Sequence, residues 1–144
     1  MKKIFMFLLA ITTSSALWAY DFKSGNLYFR ITSNNEPYTV AVTYTNYQHS
    51  TNYYNLVSAE IPSSVTYNRI TYDVTTIDAY AFYGCTKLDN ITLGNNLKTI
   101  GEDAFSSSQI STLIIPSSVQ TIELGAFYDN ENCSDMREFE IFQR

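Results

Sequence analysis

A single histidine and two cysteines are all that this chain of 144 residues offers to the commonest catalytic and metal-binding chemistries. His49 stands in the polar stretch NYQHSTNYYN with no G-x-S-x-G or other nucleophile motif beside it. A Ser/His/Asp or Cys/His site therefore has nothing to be built from, and His49 reads as a solvated loop residue. Zinc-ligand spacing is absent too, no cofactor is implied, and the chain is not expected to be an enzyme. Basic clusters are also lacking. Nine Lys and Arg against fourteen Asp and Glu leave a net charge of −5, which argues against nucleic acid and anionic lipid as partners.

Long apolar runs are nearly absent. The one at residues 4–11 follows Lys2 and Lys3 and precedes small and polar residues up to Ala16 or Ala19. At about eight residues it is far short of the roughly 20 that span a bilayer, and the order of charge, apolar core and small residues is that of a secretory signal peptide. Residues 1–19 are assigned to it, so no membrane insertion is expected once it is removed. No cysteine lies near the cleavage points to carry a lipid. Loss of Lys2 and Lys3 takes the net charge from −5 to −7 and leaves 125 residues, enough for one domain.

What the chain has in quantity is repetition. IPSSV occurs at residues 61–65 and again at 115–119, and each copy lies inside a longer unit. LVSAEIPSSV is followed later by VTTIDAYAFYGC; then come LDNITLGNNLKTIGEDAFSSS, ISTLIIPSSVQTIELGAFYDN and a partial MREFEIF. The shared frame is L-x-x-I-x-I-x-x-x-V-x-x-I-x-x-x-A-F. Leu88, Ile91, Leu93, Leu97, Ile100, Ala104 and Phe105 fill it once, and Ile110, Leu113, Ile115, Val119, Ile122, Ala126 and Phe127 fill it again. Phe82, Phe105 and Phe127 are spaced by 23 and 22 residues.

A period of that length on an L-x-x-L-x-L core predicts a leucine-rich-repeat solenoid, because a lone copy cannot bury its apolar face and a stack of copies can. The expected fold is mainly β, formally α/β, with about three and a half coils. The x-I-x-I segments should form strands paired in parallel. Pro62 and Pro116 end the ladder, Gly94 does so in the middle copy, and the serines turn the corner. V-x-x-I makes a second extended side. DAYAF, GEDAF and ELGAF read as short helical turns whose phenylalanines stack from coil to coil.

The frame resembles the BspA-like leucine-rich repeats, a bacterial surface-protein type with a repeat close to LxxIxIPxSVxxIGxxAFxxC, over residues 56–141. The match is specific at IPSSV and IGEDAF. The family glycine is present only as Gly101, with Asp78 and Glu123 elsewhere, and the family cysteine is present as Cys85 but becomes Ser108 and Asn130. Cys133 regains that position after a few extra residues, three before Met136 as Cys85 stands three before Leu88. One disulfide is the default for an exported protein. Two windings of about 4.8 Å would nevertheless hold the cysteines roughly 10 Å apart, beyond the roughly 4.4–6.8 Å a disulfide needs, so both are expected to be free, buried thiols.

Residues 20–55 lie outside the frame. LYFRI and YTVAVTY alternate on either side of SNNEP, which predicts an N-terminal β-hairpin cap over the exposed end of the stack. Residues 56–144 then form the solenoid. Its first copy is stretched, since Ile61 to Ile77 takes 16 residues where the others take 7. TYNRITYDV fits a protruding hairpin inserted at about residues 65–74 and turning at Asn68-Arg69.

The outward strand positions are Ser58 and Glu60, Asn90 and Thr92, Thr112 and Ile114, and Glu138 and Glu140. The glutamates suit a partner face or, less well, a weak cation site; Ile114 is an apolar anchor on a polar surface. Tyr67, Arg69 and Tyr72 of the inserted hairpin join the candidate partner-binding set. Twelve tyrosines, clustered at Tyr44, Tyr47, Tyr53 and Tyr54 and at Tyr67 and Tyr72, provide contact area or rings for stacking on sugars, or are strand formers. The resemblance implies a secreted or cell-surface, adhesin-like module that binds extracellular or host matrix proteins such as fibronectin or fibrinogen. Glycan binding and a truncated structural remnant without a ligand are the alternatives.

Overall fold

A computed structural model gives residues 19–45 and 53–130. Residues 1–18 of the expected signal peptide, the stretch with His49, and the stretch holding Cys133, Glu138, Glu140 and MREFEIF lie outside the described residues. Nine short strands occur among the described residues: β1 (Phe22–Ser24), β2 (Leu27–Ser33), β3 (Thr39–Thr43), β4 (Ser58–Glu60), β5 (Ser64–Tyr67), β6 (Ile70–Ile77), β7 (Asn90–Thr92), β8 (Thr99–Ile100) and β9 (Thr121–Ile122).

Each winding has three sides. On the first, β4 and β7 pair in parallel, Ser58 opposite Asn90 and Glu60 opposite Thr92, and a bridge from Asn90 to Thr112 extends the ladder. Period-2 alternation sends Ile61, Ile91, Leu93 and Leu113 into the core. At the corner, the Ser63 hydroxyl accepts a hydrogen bond from the Asn95 N–H at 2.9 Å, so a serine of the first IPSSV ties one winding to the next. A Cβ on Gly94 would lie 2.6 Å from the Pro62 carbonyl carbon and the Ser63 nitrogen. That approach explains why the middle copy turns with glycine.

On the second side, β6, β8 and β9 stack in parallel, with Ile77, Ile100 and Ile122 in register. The third side carries DAYAF, GEDAF and ELGAF, where helical turns were expected; no helix is found among the described residues. The N–H groups of Ala81, Tyr83 and Cys85 close tight turns onto the carbonyls of Asp78, Tyr80 and Phe82. The intervening N–H groups of Tyr80, Phe82 and Gly84 donate to Glu102, Ala104 and Ser106 of the next winding at 2.7–2.9 Å. Asp103, Phe105 and Ser107 repeat this onto Leu124, Ala126 and Tyr128. A helix would spend every N–H within itself, whereas here every second one bonds along the stack. Positive φ at Tyr80 and Gly84, Asp103 and Ser107, and Gly125 and Asp129 interrupts any helical run.

The phenylalanines form a column: Phe82 and Phe105 stack at 5.1 Å, Phe105 and Phe127 at 5.3 Å, with ring planes within 12°. Tyr53 supplies a further rung, 4.6 Å from Phe82. Its hydroxyl donates to the Thr43 carbonyl at 2.7 Å and accepts from the Tyr28 N–H at 2.9 Å. Tyr53, clustered in the sequence with Tyr44, Tyr47 and Tyr54, is buried in the core.

At the N-terminal end, β1, β2 and β3 form an antiparallel meander, and β3 pairs in parallel with β6. Arg30 on β2 grips Asp78 with both carboxylate oxygens engaged, at 2.7 and 3.0 Å. The inserted hairpin is β5 and β6, turning at Asn68-Arg69 with φ of 48° and 67°. These are the left-handed values a two-residue hairpin turn demands. It does not protrude as expected. Tyr67 stacks on Phe22 at 4.3 Å with planes 3° apart, and Tyr72 is buried between Phe22 and Tyr38. Burying three rings outweighs leaving them in water.

Candidate functional site

The first side of the stack presents a polar strand surface. Ser58, Glu60, Asn90, Thr92, Thr112 and Ile114 all face solvent, because their neighbours Ile61, Ile91, Leu93 and Leu113 take the inward positions. Ile114 is 79% exposed. It borders a shallow groove of about 340 Å³ shared with Asn90, Thr92, Asn95, Thr112 and Pro116. An aliphatic side chain beside amide and hydroxyl groups can bury apolar area while its rim makes hydrogen bonds, the usual make-up of a protein-binding patch.

The charge on this surface is sparse and acidic. Glu60 is exposed on β4, and Asp89 accepts from the Asn90 side-chain amide at 3.0 Å. Glu138 and Glu140 would extend the row but lie outside the described residues. Among the described residues no three His, Cys, Asp or Glu side chains are placed to hold a metal ion.

The hairpin residues of the candidate set differ in exposure. Arg69 is exposed at the hairpin tip, Tyr67 is half-buried against Phe22, and Tyr72 is 3% exposed. Tyr72 therefore has no ring face to offer a partner, because the hairpin folds back onto the meander. Tyr54, one of the clustered tyrosines, is exposed just before β4; Val57 beside it is exposed too, and nothing in the repeat frame marks it, since it aligns with the polar Asp89 and Ser111.

The interior holds groups of chemical interest but keeps them inert. Cys85 is a free, buried thiol, and burial pushes it from an ordinary 9.0 up to about 12, so thiolate is scarce at neutral pH. Burial likewise raises the Tyr53 phenol above its ordinary 10.0. In the windings that follow, Ser108 and Asn130 occupy the Cys85 position and bond to each other at 2.9 Å. Ser108 also donates to the Phe105 carbonyl at 2.6 Å, and the Asn130 amide donates to those of Phe105 and Phe127 at 2.8 and 3.1 Å. These departures from cysteine satisfy turn carbonyls.

The sequence profile described as BspA type Leucine rich repeat region (6 copies) matches residues 52–143. The chain belongs to this BspA type leucine-rich-repeat family. Solved structures similar to it include a leucine-rich repeat protein from Bacteroides capillosus ATCC 29799, 25% identical with a TM-score of 0.47, over 71% of this chain and 86% of that one. Another, from Bacteroides ovatus ATCC 8483, is 22% identical with a TM-score of 0.42, over 78% of this chain. The chain spans 40% of the length of that protein. A leucine rich cell surface protein from Faecalibacterium prausnitzii A2-165 is 16% identical with a TM-score of 0.31, over 78% of this chain and 53% of that one. No curated protein matches the chain. The described windings are built from strands and turns.

Proposed function

We propose that this BspA type repeat chain is a secreted or surface-exposed, non-enzymatic protein-binding module of the adhesin kind, directed at extracellular or host matrix proteins. Export through cleavage after Ala16 or Ala19, about three and a half windings and a cap at residues 20–55 complete the reading. The observation that carries it is the outward row Asn90, Thr92, Thr112 and Ile114, with Ile114 exposed above its groove. A solvated strand surface with one aliphatic anchor gains most from a partner that covers it. Glu60, Thr92, Thr112, Ile114, Arg69, Glu138 and Glu140 form the candidate contact set, and Tyr67 and Tyr72 serve the hairpin's own packing.

The test is retention of the purified mature chain, at micromolar concentration, on immobilised fibronectin or fibrinogen. The wild type is expected to be retained, and Ile114→Asp to lose at least about tenfold in affinity. Absence of retention by the wild type, or full retention by Ile114→Asp, would overturn the reading.

A further inference from the structure

The N-terminal meander and Tyr53 close two of the three sides of the first winding. β3 pairs with β6 along the second side, and Tyr53 stacks on Phe82 along the third. On the first side, among the described residues, nothing pairs with β4 except β7, its neighbour in the following winding.

The register shows which backbone groups this leaves. The Asn90 N–H donates to the Val57 carbonyl, and the Ile61 N–H to the Thr92 carbonyl. Residues 57, 59 and 61 therefore turn their backbone groups toward β7. By the alternation of a parallel ladder, Ser58 and Glu60 turn theirs the other way. Among the described residues these two N–H groups and two carbonyls have no backbone partner. Beside them runs a cleft of about 390 Å³, walled by Gly25, Leu27 and Phe29 of the meander and by Leu56 and Ala59. Glu60 stands at its mouth, exposed, and makes no ion pair among the described residues.

We propose that the open edge of β4 takes up an extended segment of a partner protein as an added strand. A strand about 4.8 Å from β4 would reach the four open backbone groups. Its alternate side chains would enter the cleft against Leu27, Leu56 and Ala59, which suits aliphatic residues. The others would lie on the outer face beside Ser58 and Glu60, and there a lysine or arginine is favoured across from the carboxylate. The net charge of −5 adds a long-range preference for basic segments. The same charge disfavours a second copy, whose β4 would bring Glu60 toward Glu60. The open backbone edge of β4 shares Glu60 with the contact set proposed above but not the groove at Ile114, so Ser58→Pro and Ile114→Asp let the two readings fail separately.

The probe is a short synthetic peptide alternating valine and lysine, titrated into the full mature chain by fluorescence anisotropy. The control peptide has the same side chains with alternate amides N-methylated. The wild type is expected to bind the first at least about tenfold more tightly than the second. Ser58→Pro removes a donor on the open edge while sparing the ladder to β7, and should weaken binding about tenfold. Glu60→Lys should shift preference to a valine–glutamate peptide, whereas Ile114→Asp should change nothing. Equal binding of the methylated peptide, no binding by the wild type, or indifference to both edge variants overturns the proposal. So does a concentration-dependent dimer that Ser58→Pro abolishes, since the edge would then serve a second copy. Should Ser58→Pro lose its circular dichroism spectrum, Glu60→Lys and the methylated peptide decide the matter.

Discussion

The ring of Tyr53 lies 4.6 Å from that of Phe82 with planes 22° apart, so a residue from outside the repeat frame continues the phenylalanine column of the repeats. Its hydroxyl at the same time bridges the Tyr28 N–H and the Thr43 carbonyl of the meander. One side chain thereby joins the N-terminal strands to the stacked core.

Two substitutions separate these roles. Tyr53→Ala removes the rung and is expected to cost about 3–5 kcal/mol, as deletion of a buried aromatic does. Tyr53→Phe keeps the stack but leaves two backbone groups unpartnered, for about 1–3 kcal/mol. Urea unfolding measures both; a Tyr53→Phe protein as stable as wild type would show that water replaces the hydroxyl.

Gly101 and Gly84 should respond differently to alanine. A Cβ on Gly101 would lie 2.6 Å from the Ala79 nitrogen and 2.9 Å from the Asp78 carbonyl carbon, both backbone atoms of the previous winding. Gly84 has open space around it and only its φ of 67° to strain. Gly101→Ala is expected to lose about 3 kcal/mol by overpacking and Gly84→Ala about 1 kcal/mol. Chemical denaturation that reverses this order would contradict the close approach of the windings.

Alkaline conditions should weaken the fold in a defined window. Burial raises both Cys85 and Tyr53, so each holds its proton more firmly folded than unfolded. Such groups contribute in full below their unfolded values and lose that contribution as pH climbs toward the folded ones. Thermal stability should therefore begin to fall above pH 9, with the Cys85 part spread between 9.0 and about 12. Cys85→Ala should shift the onset toward the ordinary tyrosine value of 10.0. An unchanged onset in melting curves would mean that the thiol is not the group responsible.

Ser108 and Asn130 should be coupled. Asn130→Ala strips donors from the carbonyls of Phe105 and Phe127 and is expected to cost about 1–3 kcal/mol. Because the two side chains bond each other, the double alanine variant should deviate from the sum of the singles by about 0.5 kcal/mol or more. Additive losses in a double-mutant cycle would count against a shared buried network.

The repeat was legible wherever a residue's role is set by its own spacing. Leu88, Leu97, Ile100 and Phe105 are fully buried as the frame requires, and Ile114 is exposed by the same alternation. The turns beginning at Asp78, Gly101 and Glu123 were misread as helical because Ala-Phe spacing suits a helical turn equally well. What distinguishes the first two is the destination of alternate N–H groups, on backbone 21 or 22 residues away. Tyr67 and Tyr72 looked like exposed hairpin residues for a similar reason. Phe22, which covers them, lies more than forty residues earlier.

The sequence by itself determined that aliphatic and phenylalanine positions recur with one period and face one interior, since periodicity alone dictates which side chains share a face. Only the tertiary structure decided that Tyr53 extends the aromatic column, that the inserted hairpin lies down on Phe22, and that the edge of β4 beside Gly25 and Leu27 has no strand paired to it among the described residues. Those outcomes depend on which distant backbone comes to rest alongside. Hydrogen bonds and ring contacts between segments far apart leave no period for a sequence to display.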